Sequence, residues 1–412
     1  MSIDETYFNE FIRKENVRIT TILCKIYGFE KIDLIEDALQ EAIVSAFESW
    51  KLRGLPENPE GWIYKVAKNK IINLLKKENH RQRIIEKNIS IFPTDYLLEA
   101  KWETERKSID DSLLQMLFVV SHPLIPIDYQ SAMALKILLG FSVTEIADSF
   151  FSNVETIQKR LYRGKQIIID KKIPIAFPDE LDFSERIDSV LKILYLLFSK
   201  GYYSNQTKNL FRKDLMQESL RLTILLSENE RCRNANVLAL IALICFHCSR
   251  LESRLSEDGQ ILSWVRQDKN LWDQAMISKG KEYLTASLSF GEKVYSDYQL
   301  EALIALLHTE AESKKKWEDL MILYSKLYDL NQNPSVNLNR IYAISCVLGN
   351  DKARVELEKT NSFGENLFVE LLWAKLWKEE DEFRSKQYLD SALNLSKSVE
   401  ERKMILENWE SL

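Results

Sequence analysis

Four basic side chains, Lys159, Arg160, Arg163 and Lys165, are spaced so that one helix would carry them all, and the chemistry they offer is contact with phosphates and base edges. From Phe150 to Lys172 six basic residues face Glu155 and Asp170, a local charge of +4 within a chain of net charge −6. A second set lies upstream. Between Trp62 and Lys87 eight basic residues accompany two acids, with Trp62 and Tyr64 at the front and Asn69 and Asn73 among them. Rings, amides and cations in one stretch suit unpaired bases on a phosphate backbone. A solvated surface helix would show the same pattern.

Other chemistries find less support. The chain has no glycine-rich phosphate loop, no His-Glu-x-x-His and no Gly-x-Ser-x-Gly, and its four histidines (His80, His122, His247, His308) are scattered. Cys245-Phe-His247-Cys248, with Cys232 upstream, offers thiolates and an imidazole to a zinc ion. Those residues overlap the apolar run Val237 to Phe246, where cysteine packs as a small hydrophobe, and Trp373 and Trp377 at i, i+4 read as core in the same way. The expectation is a protein that is not an enzyme, with no cofactor and no metal.

The elements that must position the basic residues are written in the capping signals. Ser142-Val-Thr-Glu145 and Ser152-Asn-Val-Glu155 each spell a capping box, ten residues apart, so two helix starts are separated by one short helix and a tight turn. That is a helix-turn-helix, shared by DNA readers and by ordinary helical packing alike. Its second helix is expected from Val154 to about Ile169, with Val154, Ile157, Leu161 and Ile168 inward and Glu155, Thr156, Lys159, Arg163 and Gln166 outward. Ala147 would allow close approach of the first helix, and Asn153 would take a left-handed turn.

Upstream, Leu34, Ile35, Ala38, Leu39, Ala42, Ile43, Ala46, Phe47 and Trp50 form a wide apolar stripe, leaving Asp37, Gln40, Glu41 and Glu48 on the opposite face. After a loop with Gly54, Pro56 and Pro59, an amphipathic helix is expected from Gly61 through Lys77 and on into His80-Arg-Gln-Arg83.

Composition sets the frame. In 412 residues there are only 11 glycines and 8 prolines, with 45% hydrophobic content, which favours an all-α chain of two or three domains. No apolar run approaches the roughly 18 residues of a membrane span, the N-terminus lacks a signal-peptide pattern, and the five cysteines have no disulfide-scaffold spacing. A cytoplasmic protein with no membrane partner is expected.

Asp37-Ala-Leu-Gln40-Glu41-Ala-Ile-Val-Ser-Ala-Phe-Glu-Ser-Trp50, followed by Trp62-Ile-Tyr-Lys-Val-Ala-Lys-Asn69-Lys-Ile-Ile-Asn73-Leu-Leu-Lys-Lys77, resembles conserved region 2 of the extracytoplasmic-function (ECF) subfamily of sigma-70 factors of bacterial RNA polymerase. The helix-turn-helix then stands where region 4 does. The resemblance implies that the face around Asp37, Gln40 and Glu41 binds the coiled coil of the largest polymerase subunit. It implies −10 promoter contacts by Trp62, Tyr64, Lys65, Lys68, Asn69, Asn73, Lys76, Lys77, Arg81 and Arg83, with a flipped base captured by a loop at Lys76 to Arg83. It places Thr156, Lys159, Arg160 and Arg163 in the −35 major groove, with the outer surface of region 4 on the polymerase β-flap.

Ser121-His-Pro-Leu-Ile-Pro126, Lys172-Ile-Pro-Ile-Ala-Phe-Pro178 and Leu194-Tyr-Leu-Leu-Phe-Ser-Lys-Gly-Tyr202 resemble the ECF group with a long C-terminal helical extension, as do Leu271–Ile277, Tyr298–Ala305 and Pro334–Arg340. Two departures stand out: the group usually has cysteine at Ser121, and arginine and aspartate at Lys68 and Asn73.

The implied domains are region 2 over 1–95, linker and region 4 over 96–180, and the extension over 181–412. The extension reads as helix pairs from Ile187 to Ser396. Trp317, Leu320 and Tyr324 have the spacing that opens a tetratricopeptide helix, and Tyr388 to Leu395 resembles one that closes it. Stacked helix pairs of this kind usually bind a protein or peptide, and here they would regulate the sigma core. Two other readings stay open at this stage, a helical-repeat interaction scaffold and a helix-turn-helix regulator that never meets polymerase. The region 2 pattern beside a separate helix-turn-helix favours the sigma reading over both.

Overall fold

Scarce glycine and proline and long stretches of 3.6-residue apolar spacing leave the backbone to satisfy its hydrogen bonds locally. The computed structural model describes residues 5–83, 109–150, 152–202, 213–254, 262, 266–291, 294–359, 366–396 and 398–410, and every regular element among them is helical. The chain divides into two units, Met1–Gly201 and Tyr202–Leu412.

In the first unit, α1 (Glu5–Tyr27), α2 (Ile32–Arg53) and α3 (Pro59–Arg83) form a bundle. Ile19, Ile22, Leu23, Ile35, Leu39, Ala42, Ala46, Trp50, Ile63, Ala67 and Ile71 are each no more than 2% exposed and form its core. Gly28, at φ 91°, lets the chain reverse between α1 and α2, a conformation that side chains with a Cβ resist. Within the expected stripe of α2, Phe47 departs and is exposed. The segment 76–83, a loop by the family resemblance but helical by its own residue pattern, is the last part of α3. Between Trp62 and Arg83 there is no glycine or proline to stop the helix, and Leu, Lys, Glu, Gln and Arg all favour continuing it.

The same unit continues with α4 (Ile109–Val120), α5 (Ile127–Met133) running into a π-turn at Ala134–Leu138, α6 (Val143–Ser149), α7 (Val154–Asp170) and α8 (Phe183–Tyr202). α6 and α7 are the helix-turn-helix. The first capping box forms as spelled: the Glu145 N–H donates to Ser142 Oγ at 3.2 Å, and the Ser142 N–H donates to Glu145 Oε2 at 2.8 Å.

The second box does not form. The cap falls one residue later, on Asn153, whose Oδ1 accepts from the Thr156 N–H at 2.7 Å. Asn153 is therefore extended (φ −89°) rather than left-handed. Asparagine caps as well as serine, and the shift leaves Glu155 in the first turn of α7, where the helix dipole favours it. Val154, expected inward, becomes the first helical residue and is 40% exposed. α7 closes with a left-handed Lys172 (φ 51°), from which Ile173 donates back to Ile168 and Lys172 to Ile169, a Schellman motif without glycine.

In the second unit, α9 (Lys213–Glu228), α10 (Ala235–Cys248), α11 (Gln274–Leu288), α12 (Asp297–Thr309), α13 (Lys314–Asn331), α14 (Pro334–Leu348), α15 (Asn350–Glu358), α16 (Leu367–Trp377), α17 (Glu382–Leu395) and α18 (Val399–Glu410) follow. Side chains of Asn234, Asp273, Ser296, Ser313, Asn333, Asn366 and Asp381 cap their helices, so these starts are legible in the sequence. α10 is buried on all sides, covered by α9, α11 and α12, and from α12 to α17 each helix packs on the next. Leu320 joins Leu300, Ile304 and Leu327 in one cluster flanked by Trp317 and Tyr324, which ties α12 to α13.

α18, absent from the sequence expectation, brings Ile405 into a cluster with Ala374, Leu389 and Leu393. Trp373 stacks on Tyr388 at 5.6 Å, and Trp377 lies between the Arg354 and Arg384 guanidinium groups.

Candidate nucleic-acid interface

α2 turns its core stripe toward α1 and α3, so Asp37, Gln40, Glu41 and Glu48 are left exposed together with Val44, which is 58% exposed. These positions follow i, i+3, i+4, i+7 and i+11, one face of the helix. Glu41 pairs with Lys70 of α3 at 2.6 Å, a surface pair worth no more than about 1 kcal/mol. The outward face is acidic with one apolar residue at its centre, chemistry suited to a protein partner rather than to DNA.

α3 carries the basic stretch. Lys65, Asn69, Asn73 and Lys76 are exposed and fall at i, i+4, i+8 and i+11, so they line one stripe. Tyr64 and Lys68, expected with them, are instead 4% and 5% exposed, because they sit beside Ile63, Ala67 and Ile71 on the side that packs into the bundle. Trp62 is half-buried, its ring edge-on to Trp50 at 5.6 Å. Lys77, Arg81 and Arg83 belong to α3 by backbone, and their side chains lie outside the described residues.

On α7, Ile157, Leu161, Gly164 and Ile168 are buried, and Gly164 lets the helix approach α5 so closely that a Cβ there would overlap the Met133 sulfur. Of the expected −35 residues, Lys159 is exposed and bridged to Glu155 at 2.6 Å. Thr156 is half-buried at the cap. Arg160 pairs with Asp128 of α5 at 3.2 Å and is largely covered, and Arg163 donates to Tyr129 Oη at 3.4 Å while remaining exposed. α5 thus holds two of the four.

Two residues on the open surface of α7 were missed by a search for positive charge: Gln158, which is exposed, and Tyr162, which is 65% exposed. A helical wheel centred on Ile157, Leu161, Gly164 and Ile168 would have found them. Lys165 points elsewhere, onto Asp33 and Glu36 of α2. Burial alone would lower its pKa, but the Glu36 and Asp33 carboxylates outweigh it and the ammonium is held above its usual value.

Cys245 and Cys248 in α10 have thiols pushed up by burial, to about 11 and about 12, so they are protonated at neutral pH. Among the described residues no cluster of histidine, cysteine and carboxylate groups has metal-binding spacing, and no helix is long and apolar enough to cross a membrane.

Residues 18–81, from within α1 to near the end of α3, match the family model for sigma-70 region 2, and residues 186–288 match a family of unknown function, DUF6596. The chain is 30% identical over 332 residues to an uncharacterized protein of Rhizobium meliloti (strain 1021), covering 80% of this chain and 78% of that protein. It is 23% identical over 175 residues to the ECF RNA polymerase sigma-E factor of Haemophilus influenzae, covering 42% of this chain and 90% of the relative. It is also 23% identical over 164 residues to the ECF RNA polymerase sigma factor SigE of Mycolicibacterium smegmatis, covering 40% and 60% respectively. No solved structure matches. The all-α bundle thus carries a sigma-70 region 2, and a helix-turn-helix follows it in the same unit. The chain belongs to the sigma-70 family of RNA polymerase sigma factors, as a member with a C-terminal extension.

Proposed function

We propose that the chain acts as a sigma factor of the ECF type in the cytoplasm, directing core RNA polymerase to particular promoters without catalysing a reaction itself. The observation that carries this reading is that α2 exposes an acidic stripe and α3 a basic and amide stripe, the two helices joined by the Glu41–Lys70 pair, within the segment that matches region 2. The α2 stripe, Asp37, Gln40 and Glu41 with Val44 among them, takes the coiled coil of the largest polymerase subunit. The α3 stripe, Lys65, Asn69, Asn73 and Lys76, takes the −10 strand, and the open surface of α7 takes the −35 duplex with Gln158, Lys159, Tyr162 and Arg163. The extension regulates this activity by binding a protein or peptide on stacked, tetratricopeptide-like helix pairs.

Purified core polymerase with the full chain is expected to give promoter-dependent run-off transcripts from a fragmented-genome template. Absence of both core binding and transcripts at micromolar protein would end the sigma reading. Asp37→Lys with Glu41→Lys should weaken capture of core polymerase at least 10-fold while leaving the circular dichroism spectrum unchanged. A chain ending at Gly201, the boundary of the first unit, shows the sign of regulation: more transcript than the full chain means an inhibitory extension, and less means an activating one.

A further inference from the structure

The open surface of α7 is divided into two stripes of unlike chemistry. Val154, Gln158 and Tyr162 fall at i, i+4 and i+8, and all three are exposed, Val154 by 40% and Tyr162 by 65%. Glu155, Lys159 and Arg163 follow the same spacing one residue on and are exposed as well. The first stripe carries no charge. In the second, Lys159 Nζ lies 2.6 Å from Glu155 Oε1, and the Arg163 guanidinium donates to Tyr129 Oη at 3.4 Å. The other two cations of α7 turn away from this surface. Arg160 pairs with Asp128 at 3.2 Å and its side chain is 23% exposed, while Lys165 pairs with Asp33 at 2.6 Å and is 12% exposed.

Phosphates and base edges ask for different groups. A cation serves the phosphate backbone wherever it reaches, whereas a base is selected by a matched donor and acceptor or by contact with a methyl group. The charged stripe suits the first task. Its Glu155–Lys159 pair is a surface pair worth no more than about 1 kcal/mol, so a phosphate can draw the lysine across. The uncharged stripe suits the second. Gln158 Oε1 can accept from the N6 amino group of adenine while Nε2 donates to N7, the pairing that major-groove geometry gives to glutamine. Val154, one turn nearer the N-terminus, offers an apolar surface to the methyl group of thymine. Both stand among the first five residues of α7, and the N-terminal residues of a recognition helix are those that reach base edges. Arg163 lies about 7.5 Å further along the helix axis than Gln158.

We propose that Gln158 is the specificity-determining residue of the −35 contact and selects an A·T base pair, with Val154 selecting a thymine methyl beside it. The charged stripe supplies grip on the phosphates. The proposal rests on the reading of α7 as the −35 helix given above.

The test uses the full chain bound to core polymerase and a promoter recovered in the run-off experiment, randomised across its −35 window. Bound templates are sequenced at physiological ionic strength. The unaltered chain should enrich adenine, on one strand or the other, at least 5-fold at one position. Gln158→Ala should flatten that position alone, and Gln158→Glu should move its preference to cytosine, whose N4 amino group donates to a carboxylate. Val154→Ala should weaken a thymine preference at a neighbouring position. Lys159→Ala should weaken binding to all templates alike and reduce its salt dependence, leaving the adenine in place. Core binding of each variant, measured separately, keeps a folding defect from imitating a lost preference. If both Gln158 variants keep the preferences of the unaltered chain at every position, the assignment to Gln158 falls while the DNA reading of α7 stands. If no variant on either stripe changes preference or affinity, that reading falls too.

Discussion

A capping residue decides where a helix starts, and in this chain two neighbouring residues compete for one start. Ser152 spells a box with Glu155, yet Asn153 takes the cap, its Oδ1 accepting from the Thr156 N–H, and the glutamate pairs with Lys159 instead. The motif was legible and its register was not, since both residues cap about equally well. Ser142 has no such rival: Ser142→Ala should cost the first unit about 1 kcal/mol, read as a lower midpoint in urea unfolding. The left-handed Lys172 offers the opposite sign. Lys172→Gly removes the Cβ clash of that conformation and should stabilise the unit by up to about 1 kcal/mol, and a lower midpoint would show that the lysine side chain contributes more than its backbone costs.

At the scale of elements, apolar spacing and caps located α2, α3, α6, α7 and the helices from α8 to α17, because the period that buries a stripe is the period of the helix itself, while α1, α4, α5 and α18 were not read from it. What spacing could not supply was the direction of single side chains at the margin of a stripe. Tyr64 and Lys68 carry the chemistry of a nucleic-acid contact, but the packing of α3 against α2 and α1 widens the buried stripe to include them. Arg160 and Lys165 likewise belong to a basic helix by sequence and to ion pairs with other helices in space. Those partners lie 32 or more residues away, beyond any local pattern. Helix approach is similarly hidden: Gly280 of α11 faces Phe246 of α10, and a Cβ there would come within 2.7 Å of the ring. Gly280→Val should therefore destabilise the second unit by about 1–3 kcal/mol despite removing a helix glycine, measurable as an earlier unfolding transition.

For the whole molecule, acidity is the variable most directly tied to burial. Burial, together with Arg250 and Lys316, lowers the His308 pKa to about 3, and burial beside Arg250 and Arg254 holds His247 well below its ordinary value. Both imidazoles are neutral in the native chain but take up protons near pH 6.5 when it unfolds. Their contribution is thus complete above about pH 6.5 and is lost as pH falls toward 3, by up to about 1.4 kcal/mol per pH unit for each histidine. Urea unfolding at about pH 7 and about pH 5 should show this loss in the second unit, and His308→Gln should flatten it; an unchanged slope would remove His308 from the account. The all-α class and the region 2 segment were readable from composition and motif. The association of bundle and helix-turn-helix in one unit was not, because the seam between them is built from long-range pairs.

α10 is apolar around its whole circumference, from Ala235 to Phe246, and every one of those residues except Asn236 is buried by α9, α11 and α12. Outside that sheath it is a sticky rod with no wettable side. During synthesis the ribosome delivers it before α11 and α12 exist to cover it, so the nascent chain passes through an interval that invites chaperone capture. A shortened chain that ends between Cys248 and Thr309 would freeze that interval, and its expected fate is inclusion bodies rather than a smaller soluble protein.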